Sequence, residues 1–240
     1  IVLSFLAVLF NFFYPLNIYL KSIIILLFLL IFIKYKEYYL NFKFLKFAFI
    51  VSLLVTILIT ESNVYRPDAG LYHLPFIGIL NSEKIIIGLS NLHFRYGHVS
   101  IIQHLAAFSN NLIFDNNGIV YPRALLAATV TINFIYQLYK YNKDRIYTFH
   151  FFYLLFVIIY IFYKMNRYSE YGNDAPAHFL VFFLVSEIIL FKDKIKQSEF
   201  INHLTLTLFI IQNKSILIVA VLLNLINLKK INLKNVVKEK

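Results

Sequence analysis

The residues with the greatest capacity for chemistry lie in one polar segment, residues 61–118, which interrupts a chain that is 60% hydrophobic. Asp68 is the foremost of them, with Arg66, Tyr72 and His73 close by in the sequence. A carboxylate held among cations and apolar rings can accept a proton from a hydroxyl group. We therefore predict that Asp68 is a catalytic base and that its three neighbours bind substrate. The structural alternative is that Asp68 caps the helix that follows it.

A second group of candidates lies in the block NLHFRYGH, residues 91–98. Asn91, His93 and Arg95 supply hydrogen-bond donors and one cation, a set suited to a phosphate or to sugar hydroxyls. The planar guanidinium of Arg95 can bind two phosphate oxygens at once, which a lysine cannot do. The alternative is that Arg95 and His93 bind lipid headgroups or the carbonyls of a helix end.

A second polar island, residues 164–178, contains Arg167, Glu170 and Asp174. We predict that these three side chains bind substrate together with the first segment. The string YGNDAP within the island is typical of a turn, so the alternative is a solvated loop between two helices.

The metal content is left open by the sequence. The histidines of the polar segment lack the helical pair of a zinc enzyme, and the chain has no cysteine, so the pattern for zinc is weak. Mg²⁺ or Mn²⁺ held by Asp68 with Glu170 or Asp174 is chemically reasonable, because these ions prefer oxygen ligands. A site with no metal is equally compatible with these residues.

The composition indicates the elements that must position these side chains. Only 15% of the residues are charged, whereas a soluble globular domain carries about 25%. We therefore predict an all-α, polytopic transmembrane helix bundle that contacts the lipid bilayer. The formal net charge of +11 reflects a Lys-rich composition, and we expect no nucleic-acid partner.

Seven apolar stretches predict the helices of this bundle, since a span needs about 20 residues. The break at Pro15 separates the first two, and the polar triplet 212–214 divides the last into two short spans or leaves one tilted helix. The chain begins inside an apolar run, so residues 1–240 are expected to be one transmembrane domain, the N-terminal part of a longer protein. The stretches are 1–16, 22–34, 44–60, 119–139, 147–163, 176–191 and 200–228.

Lysine-rich connections orient the predicted bundle. Under strict alternation they fall on one side, which the positive-inside rule makes cytoplasmic. Both polar segments then face the non-cytoplasmic side. Within residues 61–118, amphipathic stretches near 77–87 and 99–114 are too short to span, so we expect two interfacial helices, broken near Gly88 to Gly97. The alternative is that these helices pack across the mouth of the bundle.

Three motifs resemble those of an uncharacterised family of bacterial polytopic membrane proteins: DAGLYHLPFI at 68–77, GLSNLHFRYGHVS at 88–100 and SEYGNDAPAH at 169–178. That family in turn resembles the glycosyltransferases of the GT-C superfamily. The order of Asp68, the long outer segment and Asp174 matches the architecture of those enzymes. The second acidic residue that many of them carry after the first Asp is replaced here by Ala69 and Gly70.

The resemblance implies a membrane glycosyltransferase of the bacterial inner membrane. It would move a sugar, with inversion, from a polyprenyl-phosphate donor to an acceptor at the outer leaflet. Asp68 would activate the acceptor hydroxyl, Arg66, Arg95 or Arg167 would hold the phosphate, and Tyr72 and Tyr96 would stack on sugar or line a lipid groove. The alternatives are a transporter or lipid flippase, which would need polar residues distributed along its spans, and a structural or assembly subunit.

Overall fold

The chain is all-α in the computed structural model, which describes residues 1–39, 42–61, 67–98, 100–110, 115–168, 171–190 and 195–228. A π-helical turn at Ala69–His73 leads directly into α4, and 3₁₀ turns fill several connections. The α-helices are α1 (Val2–Phe13), α2 (Ile18–Tyr39), α3 (Phe42–Glu61), α4 (Leu74–Ser82), α5 (Ile101–Ser109), α6 (Tyr121–Lys143), α7 (Phe149–Tyr168), α8 (Asp174–Leu190), α9 (Gln197–Asn213) and α10 (Val221–Leu228).

The prediction of a polytopic transmembrane bundle is wrong. Among the described residues, one helical segment is both long and apolar enough to cross a membrane. It is Asn117–Lys143, which consists of α6 and the end of the turn before it, and 61% of its most apolar 18-residue stretch is buried inside the protein. Apolar stretches were counted as spans although several of the helices are short. The 12 residues of α1 extend about 18 Å and the 17 residues of α8 or α9 about 26 Å, whereas a bilayer core is about 30 Å thick.

The predicted helix breaks are confirmed. α1 ends at Phe13 and α2 begins at Ile18, on either side of Pro15. α9 ends at Asn213, so the last apolar stretch is two helices and not a single tilted one. Between α4 and α5 the chain turns at Gly88, whose φ of +83° is a left-handed conformation that favours glycine over residues with a side chain.

The two short helices of the polar segment exist, but α5 is not an interfacial helix. Seven of its nine residues are buried, and it packs against α1, α4, α6 and α9. An interfacial helix keeps one face in water, so the amphipathic pattern was misleading here. The polar side chains of α5, such as Gln103 and His104, face other polar groups inside the protein.

The core consists of three clusters of buried side chains. The largest lies between α3, α6, α7 and α8, and buried alanines at 124, 127 and 128 let α6 approach its neighbours closely. A second cluster joins α5, α8 and α9, and a third joins Leu16 to α4 and α5. The N-terminal half of the chain is thereby fixed to the C-terminal half through both α3 and α5.

Candidate functional site

The two polar segments of the sequence meet in one cavity of about 800 Å³. Its wall is built from α1, the turn before α4, the connection before α5, α5 itself, the loop before α8, and the end of α9 with the turn after it. The predicted residues that line it are Asp68, Tyr72, His73, Arg95 and Asp174. Side chains more than 100 residues apart in the sequence therefore share one space of a size typical of small-molecule sites.

Asp68 lies immediately before the π-helical turn, but its side chain makes no capping hydrogen bond to the described backbone. Its backbone is itself helical, so the geometry of an N-cap is missing. The Tyr72 hydroxyl, one turn later, lies beside the Asp68 carboxylate. Burial and this negative neighbour raise the pKa of Tyr72. The exposed Asp68 carboxylate is thus directed toward the cavity and not toward the helix end.

Arg95 is held by aromatic rings. Its guanidinium carbon lies 5.4 Å from the centre of the Tyr72 ring and 5.1 Å from that of Phe94, within the range of cation–π attraction. Stacking on a ring face leaves the N–H groups at the edge of the guanidinium for another acceptor. Because Arg95 also lines the cavity, it is a cation presented to a ligand there.

Asp174 forms an ion pair with Lys214, whose Nζ lies 2.5 Å from Oδ1 of the carboxylate. The two side chains are 44% and 33% exposed, so the pair contributes little to stability. Its effect is geometric, because it joins the start of α8 to the turn that follows α9. Both residues line the cavity.

Two buried histidines complete the wall. Burial lowers the pKa of His73 to about 4; the cations Arg123 and Arg95 also lower it, and Asp68 and Asp174 raise it. Burial lowers the pKa of His104 to about 4 as well, opposed by the backbone of Ser100. Among the described residues, neither ring nitrogen of His104 has a partner in hydrogen-bond geometry. Both imidazoles are therefore neutral at pH 7.

Other predicted residues lie elsewhere. Asn91 and His93 are not among the lining residues, and Nδ1 of His93 accepts a hydrogen bond from the backbone N–H of Arg95 at 3.3 Å. Tyr96, predicted to contact sugar or lipid, packs on Phe76 in the core, with ring centres 5.9 Å apart. Arg66, Glu170 and the side chain of Arg167 lie outside the described residues. No group of three His, Asp or Glu side chains in the described part of the chain is placed to hold a metal ion.

Lys214 and Arg123 were missed from the sequence. From the sequence, Lys214 was interpreted only as part of a turn. Because the polar triplet 212–214 falls on the predicted side of Asp68, it could have indicated that Lys214 lies near the site. Arg123 is 1% exposed and donates hydrogen bonds to the carbonyls of Ile119, at 3.0 Å, and Tyr171, at 2.5 Å. It therefore ties the loop before α8 to the start of α6, which no spacing in the sequence indicates.

A second, larger cavity of about 1110 Å³ is lined mainly by apolar side chains of α1, α5, α6, α8 and α9. The helices α1 and α5 contribute to both cavities. Phe5 and Ile101 line the polar one, whereas the adjacent Ser4 and Ile102 line the apolar one. The polar space and the apolar space thus lie on different faces of the same two helices.

The stability of the protein is expected to fall as the pH drops from about 6.5 to 4. In this window the unfolded chain protonates its histidines, while His73 and His104 stay neutral in the fold, so the unfolded state binds more protons. The contribution of the two neutral histidines to the free energy of unfolding is complete above pH 6.5 and is lost as the pH falls toward 4. Thermal unfolding of wild type and His104→Phe at pH 7.5 and pH 5 measures it. An equal loss of Tm in both proteins contradicts the assignment to His104.

The fold and the site define an all-α protein in which helix ends enclose a polar cavity beside an apolar one. The chain belongs to the family described as a domain of unknown function, DUF8201, whose model matches residues 1–239. No curated protein and no solved structure matches the chain.

Proposed function

We propose that the protein is a glycosyltransferase that moves a sugar from a polyprenyl-phosphate donor to an acceptor hydroxyl in the polar cavity. The observation that carries the proposal is the composition of this cavity, in which the carboxylate of Asp68 and the guanidinium of Arg95 share one space. In glycosyl transfer from a phosphate donor, a base can activate the acceptor hydroxyl and a cation can stabilise the departing phosphate.

The chemistry assigns one role to each group. The acceptor oxygen forms a bond to the anomeric carbon of the sugar while the bond from that carbon to the phosphate oxygen breaks, with inversion. The acceptor proton goes to the Asp68 carboxylate. The departing polyprenyl phosphate gains negative charge, which Arg95 stabilises. The Tyr72 hydroxyl beside Asp68 is placed to orient the base.

The apolar cavity supports a lipid-linked donor. A polyprenyl chain needs an apolar space close to the site that holds its phosphate, and α1 and α5 place the two cavities side by side. The volume of about 1110 Å³ is large enough for several isoprene units.

Apolar helix faces support a location at a bilayer. α2, α3 and α7 each expose large apolar side chains at helical spacing, and a soluble monomer rarely exposes a contiguous apolar patch of more than a few hundred Å². These side chains are Ile23, Leu26, Leu27 and Leu30 on α2, Phe49, Leu53, Leu54 and Ile57 on α3, and Phe152, Phe156, Ile159 and Tyr163 on α7.

The orientation that we propose places the polar cavity on the non-cytoplasmic side of the bacterial inner membrane. α6 begins beside the cavity, and its 23 residues extend about 34 Å to a basic end at Lys140 and Lys143. Basic residues at the end of a membrane helix favour the cytoplasm. The opposite end, with the cavity, then faces outward.

Cysteine labelling tests this orientation, because the chain has no cysteine of its own. Cysteines introduced at Ser82 and at Asn173 are expected to react with a membrane-impermeant thiol reagent in intact cells. A cysteine at Lys143 is expected to react only after the cells are opened. Protection of the cysteine at position 82 or 173 in intact cells, with labelling in opened cells, contradicts the proposed orientation.

The proposed activity is tested by incubating the full-length protein with a panel of polyprenyl-phosphate sugars and candidate acceptor glycans. Release of polyprenyl phosphate together with an extended acceptor supports sugar transfer. Movement of the intact donor across vesicles without cleavage would instead identify a lipid flippase.

A further inference from the structure

The side chain of Gln103 lies between two hydrogen-bond partners, which determine where its amide oxygen and its amide nitrogen lie. The backbone N–H of Ser100 lies 3.3 Å from Oε1. A backbone N–H only donates, so the atom that faces it must be the amide oxygen. Gln103 is 3% exposed, and the hydroxyl of Ser100 donates in turn to Oδ1 of Asn213 at 2.9 Å, which connects this buried network to the end of α9.

The other end of the same amide sets the tautomer of His73. Nε2 of Gln103 lies 2.7 Å from Nδ1 of His73. An amide NH₂ group only donates, so Nδ1 must accept with its lone pair. A neutral imidazole that accepts at Nδ1 carries its proton at Nε2. The low pKa of His73, about 4, keeps the ring neutral at pH 7.

We propose that Gln103 is a positioning residue that holds His73 as an Nε2–H donor, and that this N–H binds an anionic phosphate oxygen of the donor in the polar cavity. The proposal rests on the proposed function for the identity of the phosphate ester. In this arrangement Asp68 accepts a proton, while His73 and Arg95 donate hydrogen bonds to the phosphate oxygens that gain charge. A neutral donor stabilises that charge without releasing a proton at working pH.

Nitrogen NMR of protein labelled at histidine tests the tautomer directly, with the His73 resonances assigned by comparison with His73→Asn. In wild type at pH 7, Nε2 of His73 is expected to carry the proton and Nδ1 to be bare. In Gln103→Glu the introduced carboxylate accepts a hydrogen bond, so the proton is expected at Nδ1. Gln212→Glu is the matched control, because Gln212 also lines the cavity but, among the described residues, its side chain makes no hydrogen bond to Ser100, Gln103 or His73. A proton on Nδ1 in wild type overturns the proposal, whether or not the variants fold.

Addition of farnesyl phosphate tests the ligand without relying on activity. The His73 Nε2 resonance is expected to shift on titration in wild type, and to shift less in Gln103→Glu than in Gln212→Glu. An unchanged Nε2 resonance in wild type at farnesyl phosphate concentrations that shift other cavity resonances overturns the phosphate contact. If wild type binds farnesyl phosphate in this way but transfers no sugar from any donor, the proposed function fails and the inference stands.

The kinetic expectation for an enzyme that does transfer sugar is a split between kcat and KM. His73→Phe is expected to lower kcat by about 10², the loss typical of one donor to a developing anion, with a small change in the KM of the acceptor. His73→Asn retains an N–H donor and is expected to recover part of that loss. Equal kcat in wild type and His73→Phe contradicts the role of the donor.

Discussion

The Asp68→Asn protein is expected to fold like the wild type and to lose sugar transfer by a factor on the order of 10² to 10⁴. Asparagine has nearly the same shape as aspartate but cannot take up a proton at neutral pH, so the general-base contribution disappears. Stability is expected to change little, because the Asp68 side chain makes no capping bond in the described structure. The measurements are the rate of polyprenyl phosphate release and the Tm of each protein.

The matched control is Asp144→Asn, an exposed aspartate at the end of α6 that does not line the cavity. It is expected to retain wild-type activity. Full transfer by a well-folded Asp68→Asn protein would show that Asp68 is not the base and would direct attention to Asp174. Loss of folding in Asp68→Asn would instead show that the residue is structural.

Arg95→Met is expected to lower kcat by about 10² to 10³, and Arg95→Lys by less. Methionine preserves packing against the rings of Tyr72 and Phe94 but removes the charge and all of the N–H donors. Lysine restores a charge without the planar fork that binds two phosphate oxygens. The rates are measured with a saturating polyprenyl-phosphate sugar, so that weaker binding does not obscure the loss in kcat.

Arg145→Lys and Arg145→Met provide the control, because Arg145 is exposed in the connection between α6 and α7 and does not line the cavity. Both are expected to transfer sugar at the wild-type rate. If Arg95→Met keeps its kcat but associates less with anionic vesicles, Arg95 binds lipid headgroups, the alternative that the sequence also allows.

Local chemistry in the sequence was sufficient to locate the helix breaks and the polar segments. Proline at position 15 and glycine at position 88 impose backbone conformations that end or redirect a helix in almost any context. The polar triplet at 212–214 marked a turn for a similar reason, since amide and ammonium groups are costly to bury without partners. These signals depend on a few neighbouring residues, and the structure has the breaks where they predict them.

The count of spans failed because apolar composition does not distinguish a lipid-facing helix from a core helix. The helix Asn117–Lys143 is long and apolar, yet most of its apolar window packs inside the protein. The stretch around α5 has an amphipathic pattern, yet seven of the nine residues of the helix are buried, with Gln103 hydrogen-bonded to His73 and His104 lining the polar cavity. The burial of a side chain depends on which helices pack against it, and periodicity along one segment does not contain that information.

The sequence by itself indicated that the chain is largely helical and where its helices break, and it predicted that Asp68, His73, Arg95 and Asp174 belong to a functional site. Only the tertiary structure decided that these residues share one cavity, that Lys214 pairs with Asp174, and that the Gln103 amide fixes the tautomer of His73. The physical reason is the distance along the chain over which each effect acts. Turn chemistry acts over a few residues, whereas a cavity and its hydrogen bonds depend on helix packing between residues 30 to 100 or more apart in the chain, as the contacts of Gln103 with His73 and of Ser100 with Asn213 demonstrate.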